Sequence, residues 1–184
     1  LIALVREERQ ATVATEIDGT FTLALPPQVT LTVSNGAGIS GQIVVTLAAD
    51  VSLTPETVSN FLFYVNNQFY DGTVFHRVVP TFVSQGGGYL PYTPGTFPSL
   101  KVNTQPPIDL EVNKGLSNTQ WTIAMARTTA LNSATTQFYF NMVDNVALDT
   151  AGGGYAVFGH VSAGTDVLTA IAGTTCFAVN PFGN

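Results

Sequence analysis

The sequence predicts a mainly β fold, an antiparallel barrel, closed or nearly so, with two helices covering its ends. Three observations carry that prediction. The chain of 184 residues is 45% hydrophobic and only 10% charged, so it can bury one sizeable core in one domain. Many short segments have the alternating or continuous apolar pattern of strands, and only two have a helical period. A sheet of so many short strands removes its exposed edges by closing.

The elements follow in order. Residues 1–28 form an N-terminal extension that ends in FTLALPPQ, where two prolines interrupt any regular element, and the barrel domain is expected over residues 29–184. The start, LIALVREERQ, places its charges after an apolar run, the reverse of a signal peptide, and reads as a processed start. VTLTV and GQIVVTL alternate as half-buried strands do. In TPETVSNFLFYVNN the period changes: Val58, Phe61, Leu62 and Val65 share a helix face, Thr54 is the expected N-cap, and Pro55 stands at the first helical position. TVFHRVV and FVSQ read as strands around a turn at Pro80. Residues 86–107 hold three glycines and then Pro91, Pro94, Pro98, Pro106 and Pro107, and are expected to be a long surface loop able to present extended backbone to a partner. WTIAMA, QFYFNM and YAVFGHV supply further strands, and GTDVLTAIAG a second helix with Val167, Leu168 and Ile171 inward.

Composition excludes several functions. A formal net charge of −6 with six basic residues does not suit a nucleic-acid binder, which needs clustered Lys and Arg. No apolar run approaches the roughly 20 residues of a membrane span. Cys176 is the single cysteine, so an internal disulfide is excluded. His76 and His160 are the only histidines and neither has a Cys or carboxylate at ligand spacing, so no metal is expected. QGGG lacks the Lys-Ser/Thr pair of a phosphate loop, and no G-x-S-x-G elbow is present. No cofactor is expected.

One stretch resists a purely structural reading. VFHRVVPTFVSQGGG sets Arg77 among apolar residues, where a guanidinium is costly unless it meets water or a ligand. In QFYFNM, Phe138, Phe140 and Met142 share one strand face, while Gln137, Tyr139 and Asn141 share the other, which is free to line a groove.

VSNFLFYV, YDGTVFHRV, FVSQGGG, IAMART, NSATTQFYFN, DNVALD and YAVFGHV, in this order, resemble the cyclophilin family of peptidyl-prolyl cis-trans isomerases, most closely its bacterial members; the resemblance spans roughly residues 39–172. It implies a closed eight-stranded antiparallel barrel capped by two α-helices, and an enzyme that speeds rotation of Xaa-Pro bonds in client proteins. By motif, Arg77 takes the place of the catalytic arginine. Phe82, Val83, Tyr139 and Leu148 fall where the family lines its proline pocket. Gln85, Ala126 and Gln137 fall where it holds the substrate backbone, His76 and Tyr155 stand nearby, and Arg127 either lines the groove beside the pocket or forms a surface salt bridge.

Three positions depart from the family pattern. Ala147 replaces the usual tryptophan or phenylalanine, which opens the pocket rim and counts against cyclosporin binding. Tyr139 replaces a phenylalanine and brings a hydroxyl that needs a partner if buried. Trp121 stands where bacterial relatives have glycine and is expected to pack on the barrel exterior. These departures keep open the alternative of a binding module with the cyclophilin fold and little turnover. The scarcity of Lys and wealth of Thr, Asn and Gly lead to the expectation of an exported, bacterial protein, with the cytoplasm as the alternative.

Overall fold

The structure is a computed structural model that describes residues 3–10, 26–48, 53–91 and 99–174. Among the described residues it is mainly β, with eight antiparallel strands and two α-helices, as the sequence predicts. The strands are β1 (Ala3–Gln10), β2 (Gln28–Ser34), β3 (Ser40–Leu47), β4 (Arg77–Val78), β5 (Val83–Gly86), β6 (Thr122–Met125), β7 (Phe138–Asn141) and β8 (Val157–Ala163). They form one curled sheet, ordered β1-β2-β3-β8-β6-β7-β5-β4. Its first strand comes from the N-terminal extension: Ala3–Gln10 pair with Gln28–Ser34.

Burial follows the sequence alternation. Val29, Leu31 and Val33 of β2, with Ile43 and Val45 of β3, point into one core. Helix α1 (Pro55–Asn66) lays Val58, Phe61 and Val65 onto it, while Leu62 is only partly buried. Phe61 sits at the centre of an aromatic group, its ring centroid 5.4 Å from Tyr70, 5.7 Å from Phe138 and 5.0 Å from Phe158. Helix α2 (Thr165–Ala172) adds Leu168 and Ile171 to the same core.

The N-terminus of α1 is satisfied differently from the expectation. Thr54 precedes the helix, but its side chain makes no capping bond. A carboxylate from far along the chain does the work: Glu111 accepts the backbone N–H groups of Glu56 at 3.2 Å and Thr57 at 2.7 Å, and the Thr57 hydroxyl at 2.7 Å. An anion at a helix start meets both the free N–H groups and the positive end of the dipole, which a threonine hydroxyl does only in part. Asp109 in turn donates its N–H to Glu56 at 3.2 Å, so the helix start and the 108–111 segment hold each other.

Two further expectations are corrected. The stretch from Gly86 is not wholly surface loop: Gly86, Gly87, Gly88 and Tyr89 are buried, and Tyr89 bridges both Val74 and Leu100. A Cβ on Gly88 would lie 2.4 Å from the Gln137 side chain, which is the reason for a glycine there. Residues 92–98, with the prolines between, lie outside the described residues. Trp121 does not lie on the exterior but is half-buried against the main core, with a left-handed backbone at φ 65°. That conformation costs a non-glycine residue roughly 1–2 kcal/mol.

Candidate active site

Strand β7 is buried on both faces, and this creates the site. Phe138 and Phe140 face the main core; Tyr139 faces a second, smaller apolar cluster. Residues opposite one another in adjacent antiparallel strands share a face. The register Arg77↔Gln85↔Tyr139↔Ala124↔Val157 therefore runs as one row across β4, β5, β7, β6 and β8. Val83, Ala124, Tyr139 and Val157 are buried in the cluster, with Phe82, Leu116, Ala126, Leu148 and Tyr155 packed partly buried around them.

Six residues expected at the site, Phe82, Val83, Ala126, Tyr139, Leu148 and Tyr155, are thus in one cluster. The β4–β5 hairpin brings Arg77 to its edge. The turn closes through Val79 N–H to Val83 O at 2.8 Å and Phe82 N–H to Val79 O at 2.9 Å, and it sets the Arg77 guanidinium 5.4 Å from the Phe82 ring centre. Arg77 is exposed, and among the described residues its guanidinium has no hydrogen-bond or ion-pair partner. Gln85 Nε2 donates to Gln137 Oε1 at 2.9 Å, leaving the Gln137 amide nitrogen free for another acceptor. A cavity of about 450 Å³ borders the cluster at Leu116, Tyr155 and Val157 and extends past Asp149 to Lys114.

Two expected residues stand beside the cluster. His76 adjoins Arg77 and donates its backbone N–H to Gln85 O at 3.1 Å, while its ring turns against Tyr89, at 4.5 Å between centroids. Burial is the main cause that pulls its pKa down to about 4, with Arg77 adding to the shift and a Val74 backbone hydrogen bond opposing it. The folded state therefore holds the neutral ring. Between an ordinary value of about 6.5 and this lowered one, the unfolded chain binds a proton that the folded chain refuses. The contribution to stability is complete above about pH 6.5 and is lost as pH falls toward 4, roughly 3 kcal/mol in all. Thermal unfolding in this window should show a falling midpoint that a His76→Phe variant flattens; parallel curves for the two proteins would refute the assignment. Arg127 is the second: all three of its guanidinium nitrogens donate to backbone carbonyls, which ties it to the chain beside the cluster and, among the described residues, leaves one N–H of Nη1 without an acceptor.

Sequence reasoning missed the polar layer beneath the pocket floor. The Tyr139 hydroxyl donates to Asn118 Oδ1 at 2.7 Å, which answers its need for a partner, and burial raises its pKa so that it remains a phenol. Asn118, fully buried, donates its N–H and its Nδ2 to Asp149 Oδ1, each at 2.8 Å, and Ser117 Oγ donates to Asp149 Oδ2. Desolvation alone would raise the Asp149 pKa, but these bonds from Ser117 and Asn118 outweigh it and hold the carboxyl below its usual range. Asn141 Nδ2 reaches Asn118 Oδ1 at 3.2 Å and Thr122 Oγ1 at 2.9 Å, and Asn145 Nδ2 links Asn141 Oδ1 to Phe82 O, each at 2.9 Å. The signal available in the sequence was Asn141 on the face of Tyr139; its partners are too distant in the chain to be paired by inspection.

An apolar cluster on one sheet face, with an exposed arginine over the Phe82 ring at its edge and a pair of amides beside it, is the arrangement of a class of protein that can hold a small apolar ring next to a fixed positive charge. Comparison with known proteins gives that class its family. Residues 28–181 match the model of the cyclophilin type peptidyl-prolyl cis-trans isomerase family. Peptidyl-prolyl cis-trans isomerase A of Dickeya dadantii (strain 3937) is 43% identical over 140 residues, covering 75% of this chain and 70% of its own. Peptidyl-prolyl cis-trans isomerase B of Escherichia coli (strain K12) is 47% identical over 125 residues, covering 65% and 72%. A relative from Arabidopsis thaliana is 29% identical, so similarity is stronger to these bacterial proteins. Among solved structures, a cyclophilin type isomerase of Cryptosporidium parvum, crystallised in the presence of the dipeptide Ala-Pro, has the same fold, with a TM-score of 0.58, 22% identity, and coverage of 72% of this chain and 80% of that one. The chain belongs to the cyclophilin-type peptidyl-prolyl cis-trans isomerase family.

Proposed function

We propose that this chain rotates Xaa-Pro bonds in client proteins and that Arg77 stabilises the twisted amide. The carrying observation is the position of the Arg77 guanidinium, exposed and without a polar partner, at the lip of the cluster that contains Phe82, Tyr139 and Leu148. Unaided rotation must break amide resonance against a barrier of about 20 kcal/mol and takes tens to hundreds of seconds. As the bond twists, the prolyl nitrogen loses conjugation and gains a lone pair. A guanidinium, charged at any working pH and carrying several donors in a fixed plane, favours that state over the planar one. The ring is held in the apolar pocket while Gln85 and Gln137 engage the neighbouring backbone, so the donors are in place before the bond turns. The test is cis/trans exchange of a Suc-Ala-Ala-Pro-Phe type peptide followed by NMR. Acceleration supports the enzyme; binding without acceleration leaves a cyclophilin-like binding module.

The rim supports a narrower reading of inhibitor binding. Ala147 is exposed on the Val146–Asp149 3-10 turn and offers no large ring over the pocket. Cyclosporin should inhibit weakly, and Ala147→Trp should tighten inhibition about tenfold or more, roughly 1.4 kcal/mol; equal inhibition of both proteins would refute this. The composition supports export, which cell fractionation with an antibody to this chain would test.

A further inference from the structure

The residues leading into Tyr155 have an unusual backbone. Gly152, Gly153 and Gly154 take successive positive φ values of 58°, 96° and 93°. Side chains are excluded there: a Cβ on Gly154 would stand 2.5 Å from the Asp149 carbonyl oxygen, and one on Gly153 would stand 2.5 Å from the Leu131 side chain. Three consecutive glycines have no side chains with which to fix themselves and lose the most entropy on ordering. Gly153 and Gly154 donate their N–H groups to Thr150 O at 3.1 Å and Ala151 O at 3.0 Å, and Arg127 takes the carbonyls of Gly152 and Gly154. Its Nε donates to Gly154 O at 3.0 Å, its Nη2 to Gly154 O at 2.8 Å and Gly152 O at 2.6 Å, and its Nη1 to Thr128 O at 3.0 Å. The guanidinium carbon also lies 4.5 Å from the Tyr155 ring centre.

Tyr155 passes this order to the pocket. Its ring stands edge-on to Tyr139, 6.1 Å between centroids at 76°, and its N–H donates to Leu148 O at 3.1 Å. Accepting the isomerase reading above, we propose that Arg127 is a positioning residue: it clamps the glycine loop and the face of Tyr155, and so sets the outer wall of the proline pocket without touching the bond that turns. A planar fork that donates in its plane and stacks through its face can do both tasks, and an ammonium can do only the first.

A wall that grips the ring equally in planar and twisted states changes KM and leaves kcat alone. Exchange kinetics over a range of peptide concentrations should therefore show KM raised about tenfold in Arg127→Ala with kcat within about twofold, and part of that loss recovered in Arg127→Lys. In a Tyr155→Leu background, adding Arg127→Ala should change KM by less than about twofold, because the ring it acts through is gone. A fall in kcat at constant KM, an undiminished effect in the Tyr155→Leu background, or unchanged kinetics would each overturn the proposal. If Arg127→Ala does not fold, the Arg127→Lys comparison in the two backgrounds decides by the same criteria. Wild-type acceleration is read in the same experiment, so a failed clamp is distinguished from a failed isomerase.

Discussion

Arg77→Ala is expected to lower kcat/KM for a proline peptide by about 100-fold or more, equivalent to roughly 3 kcal/mol of lost transition-state stabilisation. The size follows from the placement of the side chain. Among the described residues the Arg77 guanidinium makes no hydrogen bond or ion pair, so its removal gives up only the contact with the Phe82 ring at 5.4 Å and the loss falls on catalysis. It is exposed on a two-residue strand, so folding stability should change little. Arg77→Lys should keep the charge but lose the planar set of donors, and fall between wild type and alanine. Peptide affinity measured separately should change far less than the rate, because Phe82, Val83 and Tyr139 still form the pocket. Equal rates for wild type and Arg77→Ala would remove the arginine from the mechanism.

The second large effect is expected at Asp149, which touches no pocket residue by hydrogen bond and yet supports the floor. Asp149→Ala strands the Ser117 hydroxyl and the Asn118 N–H, and leaves the Asn118 side-chain amide only the Tyr155 carbonyl at 3.3 Å. Buried polar groups left without partners cost about 1–3 kcal/mol each, so a loss of about 2–4 kcal/mol in unfolding free energy is expected, together with reduced isomerisation as the Asn118–Tyr139 bond loses its support. Tyr139→Phe is the control. It removes only the hydroxyl, and Asn118 Oδ1 retains Asn141 Nδ2, so the cost should stay near 1 kcal/mol with the apolar floor intact. Chemical denaturation of the three proteins checks the order, and a smaller loss in Asp149→Ala than in Tyr139→Phe would overturn it. The acid behaviour has a definite sign. A carboxyl held below its usual range contributes stability that is present above its unfolded value, about 3.9, and is lost only as pH falls through the lower folded value. The floor should therefore remain intact through mildly acidic conditions.

Much of this protein was legible locally. Alternation in VTLTV and GQIVVTL, the helical spacing of Val58, Phe61 and Val65, and the two faces of QFYFNM each reflect a side chain choosing between one core and its outside, a choice made within a few residues. The resemblance of seven short strings then named the site residues, and Phe82, Val83, Ala126, Tyr139, Leu148 and Tyr155 do gather in one cluster. The misreadings share a cause. Thr54 looked like a cap because capping residues are usually adjacent, whereas the groups that bind the helix start come from Glu111, 54 residues beyond Thr57. The glycine-rich stretch looked like a surface loop because glycine signals a break, whereas Gly88 is glycine to admit the Gln137 side chain.

By itself, then, the sequence determined the fold class and the family and singled out Arg77 as an arginine among apolar residues, because these rest on periodicity and on short contiguous strings. Only the tertiary structure decided that Ala124 and Val157 join the pocket row, that Asn118 and Asp149 hold the hydroxyl of Tyr139, and that Arg127 faces the glycine loop. Those outcomes depend on strand register and on polar groups meeting across long chain separations. A buried donor takes whichever acceptor the fold brings within 3 Å, and nothing in its local sequence marks which one that will be.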